Sequence, residues 1–471
     1  LPKSRIGKVT TQYQKRRGEL PMSYIRHESL FSFQELYELE QKNRFEAIFQ
    51  AVDITPLKCV VRKKSRYGAP VEANYTAMIY SLIARIVERI PTIKDLVKRL
   101  ETDLLFRMDC GFMLSESIPS EATYSRLIKK ISESDALEQI QERVLLHAMT
   151  EGYIPDETVA IDATHIEARD QAPAKQEKEK PEPKKRGRKS KAEREAWLKQ
   201  KQEEEEQKPL YAKEIAAQLP ESYATLSKEM PLDPHWGVKK NSEGKNVYWF
   251  GYKGHLAVGT QSQYIIGSLF SSGNLNDGKA AIPLLKGIAA VYPNYTFKYA
   301  AMDAGYDYEP IYQQVRQAGA HAIIAYNKRR EPEPIGFDEY FAPTCVREHS
   351  YRYDSYDPKY ETIKYVRPKE CAECPLANDT LCQKVYKMKI TKDLRKYTAP
   401  ARGSDSWKQI SKQRSAVERV NAYLKEFFQL NNVRHRSGKK AKVHFNLVTL
   451  VYNGMKLAVD RMKQQLKQQA A

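Results

Sequence analysis

The sequence predicts a mixed α/β domain that is interrupted by polar insertions and preceded by an all-α region. Apolar residues recur at helical spacing through roughly the first 150 positions. Short β-type runs then alternate with helical segments between residues 158 and 326, as is typical of an α/β domain. Two stretches, at about 170–235 and 331–400, are polar and charged instead, with few aliphatic residues to bury. The first is predicted to be a solvated or disordered insertion, with a solvated helix of alternating charge at Glu203–Glu206.

Helical periodicity is clear in two segments of the N-terminal region. Residues 30–51 form the first, and residues 75–105 form the second, which Pro91 breaks once. Farther on, Ser120 follows a proline and is suited to cap a helix that runs to Ile131.

This last helix carries three cations, Arg126, Lys129 and Lys130. A helix with this charge is typical of the recognition helix of a helix-turn-helix, which contacts DNA. A surface helix with solvated lysines is the alternative, and the pattern leaves both interpretations open.

The β-type runs and the helices between them define the predicted core. The first run, 158–164, ends in an acidic motif. Later strands are expected at 248–258, 264–270, 297–303 and 321–326, with helices at 278–291, 309–318 and 404–466.

Charge limits the class of partner. The 471 residues include 78 Lys and Arg against 59 Asp and Glu, a formal net charge of +19, which points to nucleic acid or an anionic membrane surface. No run of ~18 apolar residues is present, so membrane insertion is not expected. The first residues, LPKSRIGKVTTQYQKR, have no apolar segment of the secretory type. We therefore predict a cytoplasmic, basic, multi-domain protein that binds DNA or RNA.

Two aspartates close β-type runs. Asp162 follows Val-Ala-Ile and Asp303 follows Ala-Ala-Met. Carboxylates at strand ends project from a rigid sheet, and a two-metal phosphoryl-transfer centre needs several such oxygens to hold ions ~3.5–4 Å apart. Taken singly, each aspartate also fits a turn at the end of a strand.

A third acidic residue lies on the helical C-terminal segment. At about 100° per residue, Glu418 and Lys425 lie about 40° and 20° from Arg414 around the helix, away from its apolar face. One carboxylate between two cations is suited to pair a metal with phosphate contacts. The alternative is an amphipathic helix with an ordinary Arg–Glu pair four residues apart.

The three acidic positions resemble those of the DDE transposases of bacterial insertion sequences. In one branch of that family the last acid lies in a Tyr-x2-Arg-x3-Glu-x6-Lys signature. This sequence has Arg414, Glu418 and Lys425 at that spacing, with Ser411 at the Tyr position.

The other two acidic motifs match as well. Asp162 lies in Ile-Asp-Ala-Thr and Asp303 in Met-Asp-Ala-Gly-Tyr-Asp, with Asp307 as a competitor beyond the strand. The likeness extends to residues 119–131, to Gly-Tyr-Lys-Gly-His at 251–255, and to a tail motif containing Arg434 and Arg436.

The resemblance implies an RNase H-like α/β catalytic domain with insertions, preceded by an all-α DNA-binding domain. It implies that Asp162, Asp303 and Glu418 hold two Mg²⁺ or Mn²⁺ ions, and that Arg414 and Lys425 position phosphate. The implied activity is binding of terminal inverted repeats, cleavage of phosphodiesters and transfer of the 3′-OH ends to target DNA, by a homodimer on double-stranded DNA. The expected domains are 1–150, 151–330, 331–400 and 401–471.

The first insertion contains a basic segment, 183–191, with Arg186 and Arg188 around a glycine. Such a segment is typical of an AT-hook, whose arginines follow the A·T minor groove. A basic linker that binds phosphates without sequence preference is the alternative.

The second insertion contains four cysteines, Cys345, Cys371, Cys374 and Cys382. Their spacing suits a structural Zn²⁺, which would replace the core that this aliphatic-poor region is not expected to build. Reduced structural cysteines are the alternative.

Other functional classes were weighed against this pattern. Partner residues of tyrosine recombinases, relaxases and serine recombinases are missing from the sequence. A DNA-binding protein derived from a transposase, with an inactive centre, stays open, although retention of Asp162, Asp303 and Glu418 together weighs against it.

Overall fold

The computed structural model describes residues 41–62, 73–113, 115–173, 190–240, 243–332, 334–377 and 382–470. Helices and sheets alternate through the described chain, so the mixed α/β class predicted from the sequence is confirmed. None of the described helices is long and apolar enough to cross a membrane.

The N-terminal region is helical wherever the structure describes it. Its helices are α1 Gln41–Ala51, α2 Thr55–Val61, α3 Tyr75–Val87, α4 Ile93–Thr102, α5 Leu104–Asp109, α6 Glu121–Ser132 and α7 Ala136–Thr150. Pro91 separates α3 from α4, as the sequence predicts. Ser120 stands at the N-cap position of α6, but its hydroxyl lies 3.2 Å from the Thr123 hydroxyl rather than bonding to the helix backbone. Residues 30–40 of the first predicted helix lie outside the described residues.

A six-stranded mixed sheet forms the centre of the molecule. Its strands are β1 Thr158–Glu167, β2 His235–Lys240, β3 Asn246–Gly259, β4 Ile265–Ser272, β5 Tyr299–Met302 and β6 His321–Ile324. The strand order is β2-β3-β1-β5-β6, with β4 also paired to β3. β1 is antiparallel to β3 and parallel to β5, and its first residues are fully buried, as expected for a central strand.

The remaining helices cover the sheet or extend from it. They are α8 Lys191–Gln207, α9 Tyr223–Lys228, α10 Gly278–Val291, α11 Glu309–Gln317, α12 Asp405–Lys412, α13 Ser415–Phe427 and α14 Gly438–Ala470. The sequence predicts that residues 404–466 are helical, and the structure divides this segment into three helices. A turn at Gln413 and Arg414 separates α12 from α13.

Helix α14 joins the N-terminal helices to the sheet. It contacts α1, α3, α6 and α7, and it also contacts β4. Phe445 of α14 is buried against Gly254 of β3, where an added Cβ would lie 2.5 Å from the ring, and its ring centroid is 5.4 Å from that of Phe270. One hydrophobic cluster therefore runs from Phe45 to Val459.

In the insertion at about 170–235, the part that the structure describes contains a solvated helix, which includes Glu203–Glu206, rather than disorder. Helix α8 begins with a reciprocal capping box between Ser190 and Glu193, and none of its residues is buried. Its Glu, Lys, Gln and Ala residues are strong helix formers, so composition that suits disorder also suits a solvated helix. Beyond it, Tyr211 and Leu226 are buried in the main core. Residues 174–189 lie outside the described part.

The second insertion also differs from expectation, because it builds a core of its own. Three antiparallel strands, β7 Arg352–Asp357, β8 Thr362–Val366 and β9 Val385–Lys389, form a separate sheet. The residues buried beside it are mainly aromatic and small: Phe341, Ala342, Tyr351, Ile363, Tyr365, Ile390, Tyr397 and Ala401. Tyrosine rings supply the apolar surface that aliphatic residues do not.

Candidate active site

Asp162 and Asp303 lie at the same level on neighbouring strands. Parallel pairing of β1 with β5 sets Ala160 opposite Ala301, and each aspartate is two residues farther along its strand. Asp303 directly follows β5, where its Oδ1 accepts a hydrogen bond of 2.9 Å from the Gly305 amide. The register of the sheet thus brings together two carboxylates that are 141 residues apart in the sequence.

Both carboxylates are held in an environment that disfavours their charge. Burial raises the pKa of Asp162 to about 7; the Ala163 amide opposes this rise, and the neighbouring Asp303 charge adds to it. Burial also raises the pKa of Asp303. In both cases the Arg414 guanidinium lowers the pKa, but it does not compensate fully. Paired oxygen ligands that lack a compensating cation fit Mg²⁺ or Mn²⁺ in their chemistry.

Glu418 lies in the first turn of α13 and lines the same cavity as Asp162, which has a volume of about 290 Å³. Its side chain is 51 % exposed and forms an ion pair of 2.7 Å with Arg414. The alternative interpretation of this helix, an Arg–Glu pair four residues apart, is therefore present in the structure. Glu418 would have to exchange Arg414 for a cation in order to act with the two aspartates.

Lys425 enters the cavity from the last turn of α13. Its Nζ lies 3.2 Å from Nδ1 of His165, on β1. The pKa of Lys425 is lowered to about 8. Burial is the main cause, and the Lys239 charge adds to it, while the Asp162 carboxylate opposes both effects.

Four titratable residues to which the sequence assigns no role also line this cavity: His165, Lys239, Lys253 and Asp277. Lys253 Nζ donates to Asp277 Oδ1 and to the Leu275 carbonyl, both at 2.8 Å. Asp277 stands just before α10, where the sequence shows only an ordinary helix start. Lys253 lies in the Gly-Tyr-Lys-Gly-His motif at 251–255, in which the sequence indicates no role for the lysine.

The hydroxyl of Tyr306 lies close to the acidic cluster. Its side chain is fully buried, and the hydroxyl has no hydrogen-bond partner among the described residues. The charges of Asp277, Asp162 and Asp303 all act on it, and together with burial they raise its pKa. A buried hydroxyl without a partner is rare and is suited to bond a group that enters the site.

Asp307, the competitor of Asp303, is occupied elsewhere. It is fully buried and accepts hydrogen bonds from the Tyr312 hydroxyl at 2.8 Å and from the Asn327 amide at 2.9 Å. Arg395 donates to it through Nη2 at 2.8 Å. These contacts give Asp307 a structural role between β5 and the second insertion.

The cations predicted to bind DNA on α6 lie on the surface. Arg126, Lys129 and Lys130 are all exposed, and Lys130 Nζ lies 5.3 Å from the centre of the Tyr75 ring. Exposure is compatible with a DNA contact and with a solvated helix face alike.

Arg434 and Arg436 are also exposed, in the segment before α14. Arg169, which follows β1, donates a hydrogen bond of 2.7 Å to the Arg434 carbonyl. This contact sets the tail motif beside the end of the strand that carries Asp162. Arg186 and Arg188 lie outside the described residues.

The four cysteines of the second insertion are close enough to influence one another. Burial raises the pKa of Cys371, and the thiols of Cys382, Cys345 and Cys374 add to this rise. Arg347 Nη1 lies 3.8 Å from Cys374 Sγ. Nevertheless, in the described part of the chain no group of three or more His, Cys, Asp or Glu side chains is arranged to hold a metal ion, either here or at the carboxylates.

Comparison with protein families agrees with this geometry. Residues 218–453 match the transposase DDE domain, and residues 34–130 match a second model, transposase domain (DUF772). The chain therefore belongs to the DDE transposases of insertion-sequence type. This family implies an RNase H-like fold and a DNA substrate, and its DDE domains generally use divalent metal ions.

A search of curated proteins finds no match to the chain. The DDE match includes Asp303 and Glu418 but begins after β1. Asp162 therefore lies outside the family match, and its assignment to the candidate site rests on the pairing of β1 with β5.

Proposed function

We propose that this transposase cleaves DNA at the ends of its element and transfers the freed 3′-OH ends to target DNA by two-metal catalysis. One observation carries the proposal: Asp162 and Asp303 lie level on adjacent central strands, with Glu418 lining the same cavity as Asp162. Three carboxylates on a rigid sheet and a packed helix supply the donor types that such catalysis needs.

Each residue has a separate role in this proposal. Asp162, Asp303 and Glu418 hold the divalent ions, which when bound activate the attacking oxygen and stabilise the leaving oxygen. The Asp162 and Asp303 carboxylates become fully ionised when a cation compensates their charge. Arg414, released from Glu418, and Lys425 then bind phosphate oxygens and orient the DNA.

The wider surface binds double-stranded DNA, at the terminal inverted repeats and at the target. Arg126, Lys129 and Lys130 on α6, Arg434 and Arg436 near the site, and Arg186 and Arg188 in the basic segment contribute contacts. Two ends must be cut together, so the active species on DNA is a homodimer. The N-terminal residues 1–150 serve as the DNA-binding region, and 151–330 with 401–471 form the catalytic core.

The test is cleavage of a supercoiled plasmid that carries the DNA found on both sides of the coding sequence, with Mg²⁺ or Mn²⁺. We expect wild-type protein to nick or linearise the plasmid. Asp162→Asn, Asp303→Asn and Glu418→Gln should each lower the rate by at least about 100-fold, as expected when an interaction made in the transition state is lost. Glu426→Gln, an exposed carboxylate on the same helix, is the matched control.

DNA binding, measured in parallel by gel shift, separates the two candidate functions. A catalytic role predicts that the three variants still bind DNA as the wild type does. If the wild type binds but never cleaves with either metal, the chain is instead a transposase-derived DNA-binding protein. Wild-type rates in one variant would remove that residue from the catalytic set.

We also propose one structural Zn²⁺ at Cys345, Cys371, Cys374 and Cys382. The insertion already has a tyrosine-rich core, and its cysteines influence one another without being arranged around a metal ion, so this proposal rests on their spacing in the sequence. Elemental analysis should find about one zinc per chain, as expected for a single four-thiolate site. The zinc should be lost in Cys371→Ser/Cys374→Ser and kept in Cys59→Ser, whose cysteine is exposed on α2. Zinc-free protein purified without chelator would leave these residues as reduced thiols.

A further inference from the structure

We propose that His165, Lys239 and Lys425 form a subsite for a DNA phosphodiester beside the carboxylates. This inference rests on the proposed function, because it assigns part of the same cavity to the DNA backbone. It adds two residues, His165 and Lys239, that no sequence motif marks.

The geometry is a histidine between two ammonium groups. Lys239 Nζ, from β2, and Lys425 Nζ, from α13, each lie 3.2 Å from Nδ1 of His165. A neutral imidazole nitrogen offers one lone pair and can accept only one strong hydrogen bond. The second ammonium group therefore has a free donor directed to the same small region.

These two charges are only partly compensated, because Asp162 and Glu167 act on Lys425 from beyond ion-pair distance. Among the residues that the structure describes, neither Lys239 nor Lys425 forms an ion pair with a carboxylate, whereas Lys253 in the same cavity is paired with Asp277. Burial, together with the two lysine charges, lowers the pKa of His165 to about 4, so its ring is neutral near pH 7 and adds no third positive charge to the cavity. A phosphodiester oxygen supplies the missing negative charge.

The histidine is held in place rather than free to turn. Its ring centroid lies 5.4 Å from that of Trp249, and Trp249 is itself packed over Gly237, where an added Cβ would lie 2.3 Å from the indole. His165 also lies directly opposite Lys253 in the pairing of β1 with β3. The imidazole thus acts as a positioning residue that orients both ammonium groups.

The distance from Asp162 indicates which phosphate binds here. His165 is three residues beyond Asp162 on β1, which corresponds to about 10 Å along a strand. With about 3.4 Å of axial rise per nucleotide in one DNA strand, that distance is a few nucleotides. The subsite therefore holds a neighbouring phosphodiester, while the scissile one lies at the carboxylates.

The experiment measures binding without metal, so that cleavage cannot contribute. A fluorescein-labelled DNA duplex, too short to hold two molecules, is titrated in EDTA between about 50 and 200 mM KCl. Lys239→Gln should weaken binding several-fold and lower the slope of log affinity against log salt by about 1, as expected for one lost phosphate contact. Lys298→Gln is the control, because it makes the same charge change just before β5, at the end of the strand away from Asp303. It should leave the slope unchanged.

The role of His165 is tested by two substitutions in the same assay. His165→Asn keeps an acceptor near the position of Nδ1 and should retain most of the affinity, whereas His165→Ala should lose several-fold. A purely structural role would affect both variants alike and would alter their thermal unfolding. An unchanged slope in Lys239→Gln overturns the subsite. Because no metal is present, that result leaves the proposed cleavage activity to its own test.

Discussion

The Asp162 carboxyl is the group in this molecule at which burial and the proposed function oppose each other most directly. Its strand is central and apolar, and burial raises its pKa to about 7. An ionised carboxylate in such a place costs free energy unless a cation or hydrogen bonds compensate it. Strongly shifted groups of this kind cluster at functional sites, where the cost is retained because the chemistry requires the charge.

This cost predicts a pH-dependent effect of Asp162→Asn on stability. A carboxyl whose pKa is raised from about 3.9 in the unfolded chain to about 7 takes up a proton on folding. The contribution of this carboxyl to the free energy of unfolding therefore falls as the pH rises from about 4 to about 7 and is constant above that range. The amide cannot ionise, so its advantage over the wild type should grow by about 2–3 kcal/mol between pH 5 and pH 8.

Urea unfolding of both proteins in EDTA, at pH 5 and at pH 8, measures this difference. Asp357→Asn, at the end of β7, is the control for the loss of a carboxylate that does not line the cavity. An advantage of Asp162→Asn that is equal at both pH values would mean that the native carboxyl titrates normally.

At the residue scale, motif and register differ in what they predict. Asp303 and Glu418 belong to spaced motifs, so the sequence identifies them. His165, Lys239 and Asp277 come from three separate segments, and each looks like an ordinary strand or helix-start residue. The pairing of β1 and β2 with β3 brings His165 and Lys239 to one cavity, and Asp277 joins them through its ion pair with Lys253 of β3.

At the scale of elements, the Phe445 ring and the hydrogen bonds between the Asn453 side chain and the Ile265 backbone attach α14 to the sheet. Phe445 fills the space left by Gly254 and meets Phe270. Phe445→Ala should lower the free energy of unfolding by about 3–5 kcal/mol, because it removes a buried ring and leaves a cavity.

The same helix offers the control for this prediction. Leu466 lies near the C-terminal end of α14 and is 61 % exposed, so Leu466→Ala should change the unfolding free energy little. Chemical denaturation of the two variants side by side checks the difference. Equal losses would mean that the helix is held by its whole length rather than by this contact.

Elements with a clear hydrophobic period follow from the sequence, whereas at α8 the sequence leaves a solvated helix and disorder both open, and it does not predict the tyrosine-rich sheet. The strands and the helices α10 and α11 follow from alternation and from apolar spacing. Helix α8 has no buried face. Its capping box and its strong helix formers stabilise it instead. The sheet β7–β9 was not predicted, because tyrosine rings form much of its core. Tyrosine-rich sequence is counted as polar, although the rings pack as apolar surface.

At the scale of the whole molecule, the N-terminal helices and the six-stranded sheet share one core. A boundary near residue 150 follows from the change in composition, but the hydrophobic cluster continues across it. Helix α14, more than 280 residues farther along the chain than α7, contacts four of the N-terminal helices. The two regions are separate in sequence and continuous in packing.

This shared core predicts that the N-terminal helices cannot fold without α14. A fragment of residues 41–150 lacks the apolar face of α14 that covers α1, α3, α6 and α7, so its own apolar surfaces stay exposed to water. We expect this fragment to show a low helix content by circular dichroism and no cooperative thermal transition. Addition of a peptide of residues 438–470 should restore both, whereas the same peptide with Val448→Asp and Leu450→Asp should not, because each change sets a charge in the buried face. A cooperative transition in the fragment alone would show instead that residues 41–150 form an independent domain, to which α14 adds only a contact.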